Sequence, residues 1–383
     1  MDKTFLKYFD GKEGLYKLLA LAAVLLVFFP IVLNNFWINI VGKYLTFGFA
    51  ALGLALLWGK SGVLSLGQGL FFGLGGYCMA MFLKLEASDP ISTKIQSTPG
   101  IPDFMDWNQL THLPALWIPF KSLPFTLFAV VAVPALVAFI IGLAMFKRRV
   151  GGVYFAIITQ AMALIFSLGI DANQGLTGGR NGITDLKTMW GWDIRTHSAQ
   201  YILYFTTCVL LLLSVFLLQW LLSGKMGKML PAMCEREDRV RFTGYDVAFF
   251  KVFVFCVAAA LSGIGGALFV LQVGFMAPSM VGIVPSVEIV IFAAVGGRAS
   301  LYGVIFGAML VNAGKSLFSV SFPQAWLFAM GGLLIAVVIL FPNGLAGGWD
   351  YLAQKAWPWL LGKFKSESEV EEIEDTAPKG EKL

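Results

Sequence analysis

The sequence predicts an all-α membrane protein that crosses a bilayer about ten times, and three observations lead to this fold class. Hydrophobic residues make up 58% of the 383-residue chain and charged residues only 13%. Since a soluble domain averages about 25% charged residues, there are too few charges here to cover a soluble surface. The apolar segments are long enough to span a bilayer, which takes about 20 residues per helix. The 42 glycines suit helices that pack closely in lipid.

Ten apolar segments can be placed along the chain. They cover residues 15–33, 38–57, 62–83, 123–146, 151–170, 200–222, 249–272, 283–296, 300–319 and 324–341. The eighth, 283–296, has Pro285 at its start and Gly296-Gly297 at its end and is short for a crossing, so it is predicted to be a short or broken helix. Ten spans are compatible with a five-plus-five inverted repeat, which is common among transporters.

The placement of basic residues predicts the orientation. With the N-terminus in the cytoplasm, twenty of the 28 Lys and Arg residues fall on the cytoplasmic side and five fall in the outer loops. The positive-inside rule therefore predicts that both termini are cytoplasmic. The expected divisions are a cytoplasmic N-terminus (1–14), a transmembrane domain (15–348) and a cytoplasmic acidic tail (349–383). The tail is expected to be disordered from about residue 366, because it is acidic and poor in aromatic residues.

Glu288 is the acidic residue that lies deepest within an apolar segment. A carboxylate at membrane depth is costly, so it is expected to face the interior of the bundle or a transport pathway. We place it in the first turn of a helix that starts at Pro285, where backbone N–H groups would hold the carboxylate. A structural or gating role is predicted.

Three further polar residues are candidates for a substrate pathway. Gln68 lies beside the pattern Gly69-x-x-x-Gly73, which gives one helix face a smooth surface, and Thr159 and Gln160 lie near the middle of a later span. Such side chains either face a polar solute or form hydrogen bonds between packed helices, and the sequence leaves both possibilities open.

The segment 173–184 is a glycine-rich outer loop. Glycine permits turns that expose backbone N–H groups, but the segment lacks the Gly-Lys-Ser/Thr ending of a phosphate loop. The four cysteines and two histidines show no metal-ligand spacing, so neither a metal site nor a cofactor is expected. The loop residues of interest are Thr177, Gly178, Gly179, Asn181 and Gly182.

The segment 224–248 is long for a connection between spans and carries both signs of charge. An amphipathic helix from Leu230 to Phe242, ended by Gly244, is predicted within it. A helix of this kind suits the groove of a partner protein, and the alternative is a solvated loop that satisfies the positive-inside rule. The candidate docking residues are Leu230, Met233, Arg236, Glu237, Arg239, Phe242 and Gly244.

These segments occur in an order that resembles the LivM-type permeases of branched-chain amino-acid ABC importers. The resemblance covers about residues 40–350. It rests on Ser-Leu-Gly-Gln at 65–68, Leu-Thr-Gly-Gly-x-Asn-Gly-Ile at 176–183, Ser-Val-Glu-Ile at 286–289 and Phe-Pro-Asn-Gly-Leu-Ala-Gly at 341–347. Within the family, Ile158–Ala163, Thr184–Thr188 and Arg239–Tyr245 are most similar to the urea-importer permeases of the C-subunit type. Cys234–Glu237 departs from the usual pattern of the docking segment.

The resemblance implies a non-enzymatic permease subunit of the bacterial inner membrane. It implies a heterodimer with a second permease, two ATP-binding subunits and a periplasmic substrate-binding protein, with 224–248 as the segment that couples this chain to an ATP-binding subunit. Urea is the implied substrate, and its small neutral molecule suits the amide and hydroxyl groups of Gln68, Thr159 and Gln160. Two alternatives remain: a branched-chain amino-acid permease of the same family, and an ion-coupled secondary transporter that uses Glu288.

Overall fold

The computed structural model describes residues 12–88, 98–322, 325–340 and 344–347. The predicted acidic tail, 349–383, and most of the predicted N-terminal segment lie outside the described residues. Within those residues, nine helices are long and apolar enough to cross a membrane, and α14 is a shorter apolar helix. The prediction of an all-α polytopic membrane protein is confirmed.

Fourteen helices and one two-stranded hairpin follow one another along the described chain. Their bounds are α1 (Lys12–Ala23, continued by a π-helical turn, Val24–Phe28, and by Phe29–Val32), α2 (Asn35–Leu54, continued by the π-helical Ala55–Lys60), α3 (Gln68–Ala87), α4 (Asp103–Trp107), α5 (Leu123–Phe146), α6 (Val153–Ala172), α7 (Gln174–Thr177), β1 (Thr188–Met189), β2 (Trp192–Asp193), α8 (His197–Ser223), α9 (Lys225–Glu235), α10 (Glu237–Phe242), α11 (Val247–Val273), α12 (Ile283–Gly296), α13 (Leu301–Ser321) and α14 (Trp326–Leu340).

The helices form a buried centre and an apolar rim. Helices α2, α3 and α11 are mostly buried, whereas α1, α5 and α6 expose most of their apolar surface. Exposed apolar helix faces suit lipid or another membrane subunit. The end of the bundle that carries residues 98–122 and 174–196 is called the outer end here, and the end that carries α9 and α10 is called the inner end.

The packing repeats in the two halves of the chain. In this repeat, α2 is equivalent to α11, α3 to α12 and α5 to α13. The contact between α2 and α13 therefore corresponds to the contact between α11 and α5. The contact between α3 and α5 corresponds to the contact between α12 and α13. Likewise, α3 contacts α6 as α12 contacts α14. Each equivalent helix lies five spans later in the chain, so the two members of a pair cross in opposite directions. This is the packing expected of a five-plus-five inverted repeat.

Glycines set the close approach of α3 and α11. A Cβ atom built at Gly75 would lie 2.2 Å from the carbonyl oxygen of Gly263, and one at Gly266 would lie 1.8 Å from the carbonyl oxygen of Phe72. No larger residue fits there without moving a helix. Small residues on both faces therefore bring the two backbones into contact, as is common between helices in lipid.

The structure corrects the start of one predicted span and the position of Glu288 within another. The third span was expected from residue 62, but residues 62–67 are not helical, and α3 begins at Gln68. The eighth span, predicted at 283–296, agrees with α12 (Ile283–Gly296), which Gly297 follows with a φ of 102°, but the helix begins two residues before Pro285. Glu288 is consequently the sixth residue of α12 and lies beyond the first turn, where the free N–H groups are.

Candidate functional site

A non-helical segment, 62–67, passes through the interior between α2 and α3. The backbone N–H of Leu66 donates to the hydroxyl of Thr159, at 3.1 Å. A Cβ at Gly67 would lie 2.5 Å from the Thr159 carbonyl oxygen, so this glycine lets the segment lie directly on α6. Non-helical backbone at membrane depth is tolerated where protein or a cavity surrounds it, and here α6 supplies a polar partner.

Gln68 is the first residue of α3 and is completely buried. Its side-chain oxygen accepts a hydrogen bond from the Ser262 hydroxyl of α11, at 2.8 Å. Its amide nitrogen is buried without a partner among the described residues. An unsatisfied buried donor costs about 1–3 kcal/mol, so this nitrogen is an expensive feature of the core.

The first turns of α3 and α12 meet beside Gln68. The backbone N–H of Gly69 donates to the Ser286 hydroxyl at 3.1 Å, and that hydroxyl donates to the carbonyl oxygen of Gly282 at 2.9 Å. These two helices are equivalent in the repeat, so two helix N-termini approach one another in the core. Each N-terminus carries a partial positive charge, which favours an electronegative atom nearby.

The two polar residues of α6, Thr159 and Gln160, lie in different surroundings. Thr159 is 3% exposed, and its hydroxyl both accepts from Leu66 and donates to the carbonyl oxygen of Ala156. Gln160 is only partly buried. Successive residues of a helix point about 100° apart, so Gln160 faces away from the segment 62–67. The core site therefore contains Gln68, Thr159, Ser262 and Ser286.

Glu288 lies in a separate, charged cluster between α12, α13 and α2. The residue is 3% exposed, and its carboxylate forms an ion pair with the ammonium group of Lys315. Lys43 lies nearby, with its ammonium group 5.9 Å from the ring centroid of Phe269. The expectation that helix-start N–H groups hold the carboxylate was wrong, because a lysine 27 residues further along the chain does so.

Hydrogen bonds fix the helices around the charged cluster. The hydroxyls of Tyr44 and Ser316 are hydrogen-bonded and join α2 to α13. The side-chain nitrogen of Gln272 donates to the Thr207 hydroxyl at 2.8 Å and joins α11 to α8. Sequence analysis missed this cluster, although Lys43 and Lys315 fall within or at the edges of apolar segments and thus signalled buried charge.

The outer loop predicted from its glycines is a tightly packed turn. Gly178, Gly179 and Gly182 have φ values of 81°, 57° and 71°. A Cβ at Gly182 would lie 2.1 Å from the carbonyl oxygen of Met276, and the neighbouring residue, Ile183, pairs with Met276 through two backbone hydrogen bonds. The turn thus joins the chain after α6 to the chain after α11.

The other two residues of the loop differ in their surroundings. The Thr177 hydroxyl donates to backbone carbonyls, at 2.7 Å to Ile170 and 2.8 Å to Asn173, and therefore closes the end of α6. Asn181 is exposed on the surface of the turn. Four of the five candidate loop residues consequently stabilise the outer end, and Asn181 is the candidate that is exposed to a partner.

Sequence analysis also missed a layer of polar contacts at the outer end. Lys84, only 4% exposed, forms an ion pair with Asp103 at 2.8 Å and donates to the carbonyl oxygen of Thr184 at 3.0 Å. The Trp117 indole donates to the carbonyl oxygen of Leu176 at 2.9 Å. These bonds tie residues 98–122 and 174–196 onto α3.

The predicted inner helix is divided into two. Helix α9 ends at Glu235, Arg236 has extended backbone angles, and α10 then runs to Phe242. Gly244, with a φ of 87°, follows the end of α10 as predicted. The expectation of one continuous helix from 230 to 242 is corrected, since Arg236 turns the chain between two shorter helices.

The candidate docking residues fall into two groups. Leu230 and Met233 are 0% and 3% exposed and pack into the bundle. The carboxylate of Glu237 binds Arg241 at 2.5 Å and Lys251 at 2.6 Å, so it holds α10 onto α11. The side chains of Arg236, Arg239 and Phe242 are exposed and form the surface available to a partner.

The inner end is also connected to the segment 62–67. A Cβ at Gly62 would lie 2.7 Å from the sulfur of Cys234 in α9, and a Cβ at Gly59 would lie 1.8 Å from the carbonyl oxygen of Arg298. The guanidinium of Arg298 lies 5.2 Å from the Trp58 ring centroid. The π-helical end of α2 is thus fixed between α9 and the loop after α12.

The described residues contain no group of three His, Cys, Asp or Glu side chains that could hold a metal ion. What the arrangement supplies is a neutral, hydrogen-bonding core at Gln68, a charged cluster at Glu288 and a mixed-charge surface at the inner end.

Comparison with known proteins agrees with this arrangement. The family of branched-chain amino acid transport system permease components matches residues 36–340. The chain is 26% identical over 370 residues to the high-affinity branched-chain amino acid transport system permease proteins LivM of Salmonella typhimurium and of Escherichia coli, with 90% of this chain and 78% of each relative covered.

A third relative also matches most of the chain. The chain is 27% identical over 314 residues to the probable branched-chain amino acid transport permease protein LivH of Methanocaldococcus jannaschii, covering 78% of this chain and 87% of that protein. No solved structure matches the chain. The chain therefore belongs to the branched-chain amino acid transport system permease family of ABC transporters, whose members are multi-pass membrane transport subunits rather than enzymes.

Proposed function

We propose that this chain is the permease subunit through which an ATP-driven importer moves urea across the bacterial inner membrane. The supporting observation is the buried amide nitrogen of Gln68, which has no partner among the described residues and lies in a core of neutral hydrogen-bonding groups. A passing solute with a carbonyl oxygen would satisfy this donor and recover part of the free energy that its burial costs.

Urea fits this core by its chemistry. Its carbonyl oxygen accepts hydrogen bonds, and its two amino groups donate them, so hydroxyl and amide side chains can replace its water shell. Ser262 and Ser286 offer hydroxyl oxygens, and the first turns of α3 and α12 favour an electronegative atom. A fixed charge is not needed at the core, because urea is neutral.

The same family also supports a second candidate substrate, a branched-chain amino acid. Two observations favour it: the matched relatives are named as branched-chain amino acid permeases, and Lys43, Glu288 and Lys315 supply both charges that a zwitterion would need. Glu288 is already bound to Lys315, however, so a zwitterion would have to displace an existing ion pair. Membership of an ATP-driven family removes the reason to treat Glu288 as an ion-coupling site.

The assembly follows from the proposed role. The chain would form a heterodimer with a second permease in an assembly with two ATP-binding subunits, bind an ATP-binding subunit through the exposed residues of α9 and α10, and receive urea from a substrate-binding protein at the outer end. Both termini would face the cytoplasm, and the chain would need no cofactor of its own. The apolar faces of α1, α5 and α6 leave room for the second permease and for lipid.

Uptake of labelled substrates tests the proposal. Cells that lack other urea and leucine importers would express the chain together with its partner subunits, and uptake of radiolabelled urea and leucine would be compared. Urea uptake that excess leucine does not inhibit is expected. Leucine uptake without urea uptake would show that the substrate is a branched-chain amino acid and not urea.

The role of Gln68 is tested in the same cells. Gln68→Leu should abolish most urea uptake, because it removes both the donor and the acceptor while keeping a side chain of similar size. Thr206→Val, on an exposed face of α8, serves as a control and should leave uptake unchanged. Normal uptake by a Gln68→Leu variant of normal membrane abundance would contradict the proposed core site.

A further inference from the structure

We propose that a cavity at the outer end, beside the last turn of α3, is a binding site for a small planar molecule with N–H donors. The cavity has a volume of about 310 Å³. It is open to the surroundings and separate from the buried core at Gln68. Its lining residues are Phe82, Leu85, Glu86, Gly100, Lys121 and Trp190.

The carboxylate of Glu86 carries the inference. One of its oxygens accepts a hydrogen bond from the backbone N–H of Gly191, at 2.7 Å, which fixes the side chain against the β1–β2 hairpin. Its second oxygen, Oε2, is buried and has no partner among the residues that the structure describes. Because a carboxylate oxygen is a strong acceptor, its burial without a donor is costly, and a ligand N–H group would satisfy it.

The rest of the cavity complements such a ligand. Phe82 and Leu85 form a buried apolar wall, and the indole of Trp190 is 77% exposed, so its ring is available for contact with a flat molecule. Lys121 adds an exposed ammonium group at the lining, which can donate to a carbonyl oxygen. The site therefore offers a carboxylate for N–H groups, an ammonium group for a carbonyl oxygen and a ring for a planar face.

Urea has each of these features, so the cavity would hold the substrate at the outer end before it enters the core. This choice of ligand rests on the proposed function, whereas the acceptor, the ring and the cation are features of the cavity itself. A water molecule occupies about 30 Å³ of liquid, so a cavity of about 310 Å³ admits urea together with water. Binding in such an open, wet site is expected to be weak and rapidly reversible.

Glu86→Gln separates a binding role from a structural one. The amide oxygen can still accept from Gly191 and hold the hairpin, but an NH2 group replaces Oε2 and cannot accept an N–H donor. If Glu86 has only a structural role, Glu86→Gln should therefore bind the ligand as wild type does, and Glu86→Ala should not. A binding role predicts that both variants lose the ligand.

Ligand binding would be measured by saturation-transfer NMR on the full importer in nanodiscs, without its binding protein. N-methylurea serves as the probe because its methyl group gives an observable signal. The signal should fall at least threefold in Glu86→Gln and stay at the wild-type level in Asp185→Asn, which removes only a 3.8 Å ion pair with Arg195 between exposed side chains. An equal signal from wild type and Glu86→Gln would overturn the proposed site.

Urea uptake distinguishes failure of this inference from failure of the proposed function. If the wild-type importer takes up urea but Glu86→Gln binds the probe normally, the outer site is wrong and the function stands. If no urea uptake occurs but the probe signal still depends on Glu86, the cavity binds N–H donors for another substrate. The latter result keeps the site and removes urea as its ligand.

Discussion

The ion pair between Glu288 and Lys315 predicts an unequal response to loss of either partner. The Glu288 side chain is 4% exposed, whereas that of Lys315 is 37% exposed. Lys315→Met would leave a carboxylate buried without its cation, which typically costs about 3–5 kcal/mol. Glu288→Gln would leave a lysine that can extend its ammonium group towards water or lipid headgroups, so the cost should be about 1 kcal/mol, the value of one hydrogen bond.

The double variant sharpens this prediction. Glu288→Gln combined with Lys315→Met contains neither charge, so it should recover most of the stability that Lys315→Met loses. Glu288→Leu keeps Lys315 but offers it no acceptor, and it should impair transport more than Glu288→Gln does. The coupling free energy between the two sites follows from the wild type, the two single variants Glu288→Gln and Lys315→Met, and the double variant.

Thermal unfolding of the detergent-solubilised importer measures the effect, with membrane abundance and urea uptake recorded in parallel. The expected order of unfolding temperature is wild type, then Glu288→Gln, then the double variant, then Lys315→Met. Glu288→Gln should keep appreciable uptake. If Glu288→Gln unfolds at a lower temperature than Lys315→Met, the argument from unequal burial is refuted, and a Gln variant that assembles normally but transports nothing would indicate a charge-dependent function.

Three further predictions concern the ends and the interior of the bundle. In a background where exposed Cys234 is replaced by Ser, Trp190→Cys should react with a membrane-impermeant thiol reagent in intact cells and Phe242→Cys should not; the reverse pattern would invert the orientation. Phe242 is 91% exposed, so Phe242→Asp should weaken copurification of the ATP-binding subunits without lowering the unfolding temperature, and unchanged copurification would exclude it from the interface. Gly75→Val should abolish membrane accumulation because its Cβ would overlap Gly263, whereas Gly331→Val, with nothing within 4 Å of the added Cβ, should accumulate normally; equal accumulation would contradict the α3–α11 packing.

The spans were predictable because their signal is local. Hydrophobic length alone identifies a helix that must satisfy its backbone in lipid, and nine of the helices pass that criterion within the described residues. The short eighth span was also predictable, because the sequence Gly296-Gly297 marks its end. The structure agrees, since α12 ends at Gly296 and Gly297 has a φ of 102°. Local sequence therefore determined where most helices lie.

The break at residues 62–67 depends on distant residues and was not predictable. Val63, Leu64 and Leu66 are apolar and continue the pattern of a helix. What stabilises the non-helical backbone is the Thr159 hydroxyl, which lies 93 residues away and accepts from Leu66. A hydrogen bond across that separation leaves no periodic signal in the sequence.

In the candidate site, too, the local features were predictable and the contacts between distant residues were not. Gln68 and Glu288 were identified because a polar residue in an apolar segment is itself unusual. Their partners, Ser262 and Lys315, come from other helices and depend on how the helices pack. For the same reason the sequence could not show that Leu230 and Met233 face the bundle while Phe242 faces outwards.

The contact between Gly62 and Cys234 gives the segment 62–67 a mechanical consequence. At one end of the segment, Gly62 touches α9, and at the other, Gly67 lies on α6 next to Gln68. Six residues of backbone span at most about 20 Å even when fully extended, so this length is an upper limit on the separation of the two ends of the segment. The segment therefore limits how far α9 and the start of α3 can move apart, and a larger displacement of the inner end would have to carry the core with it.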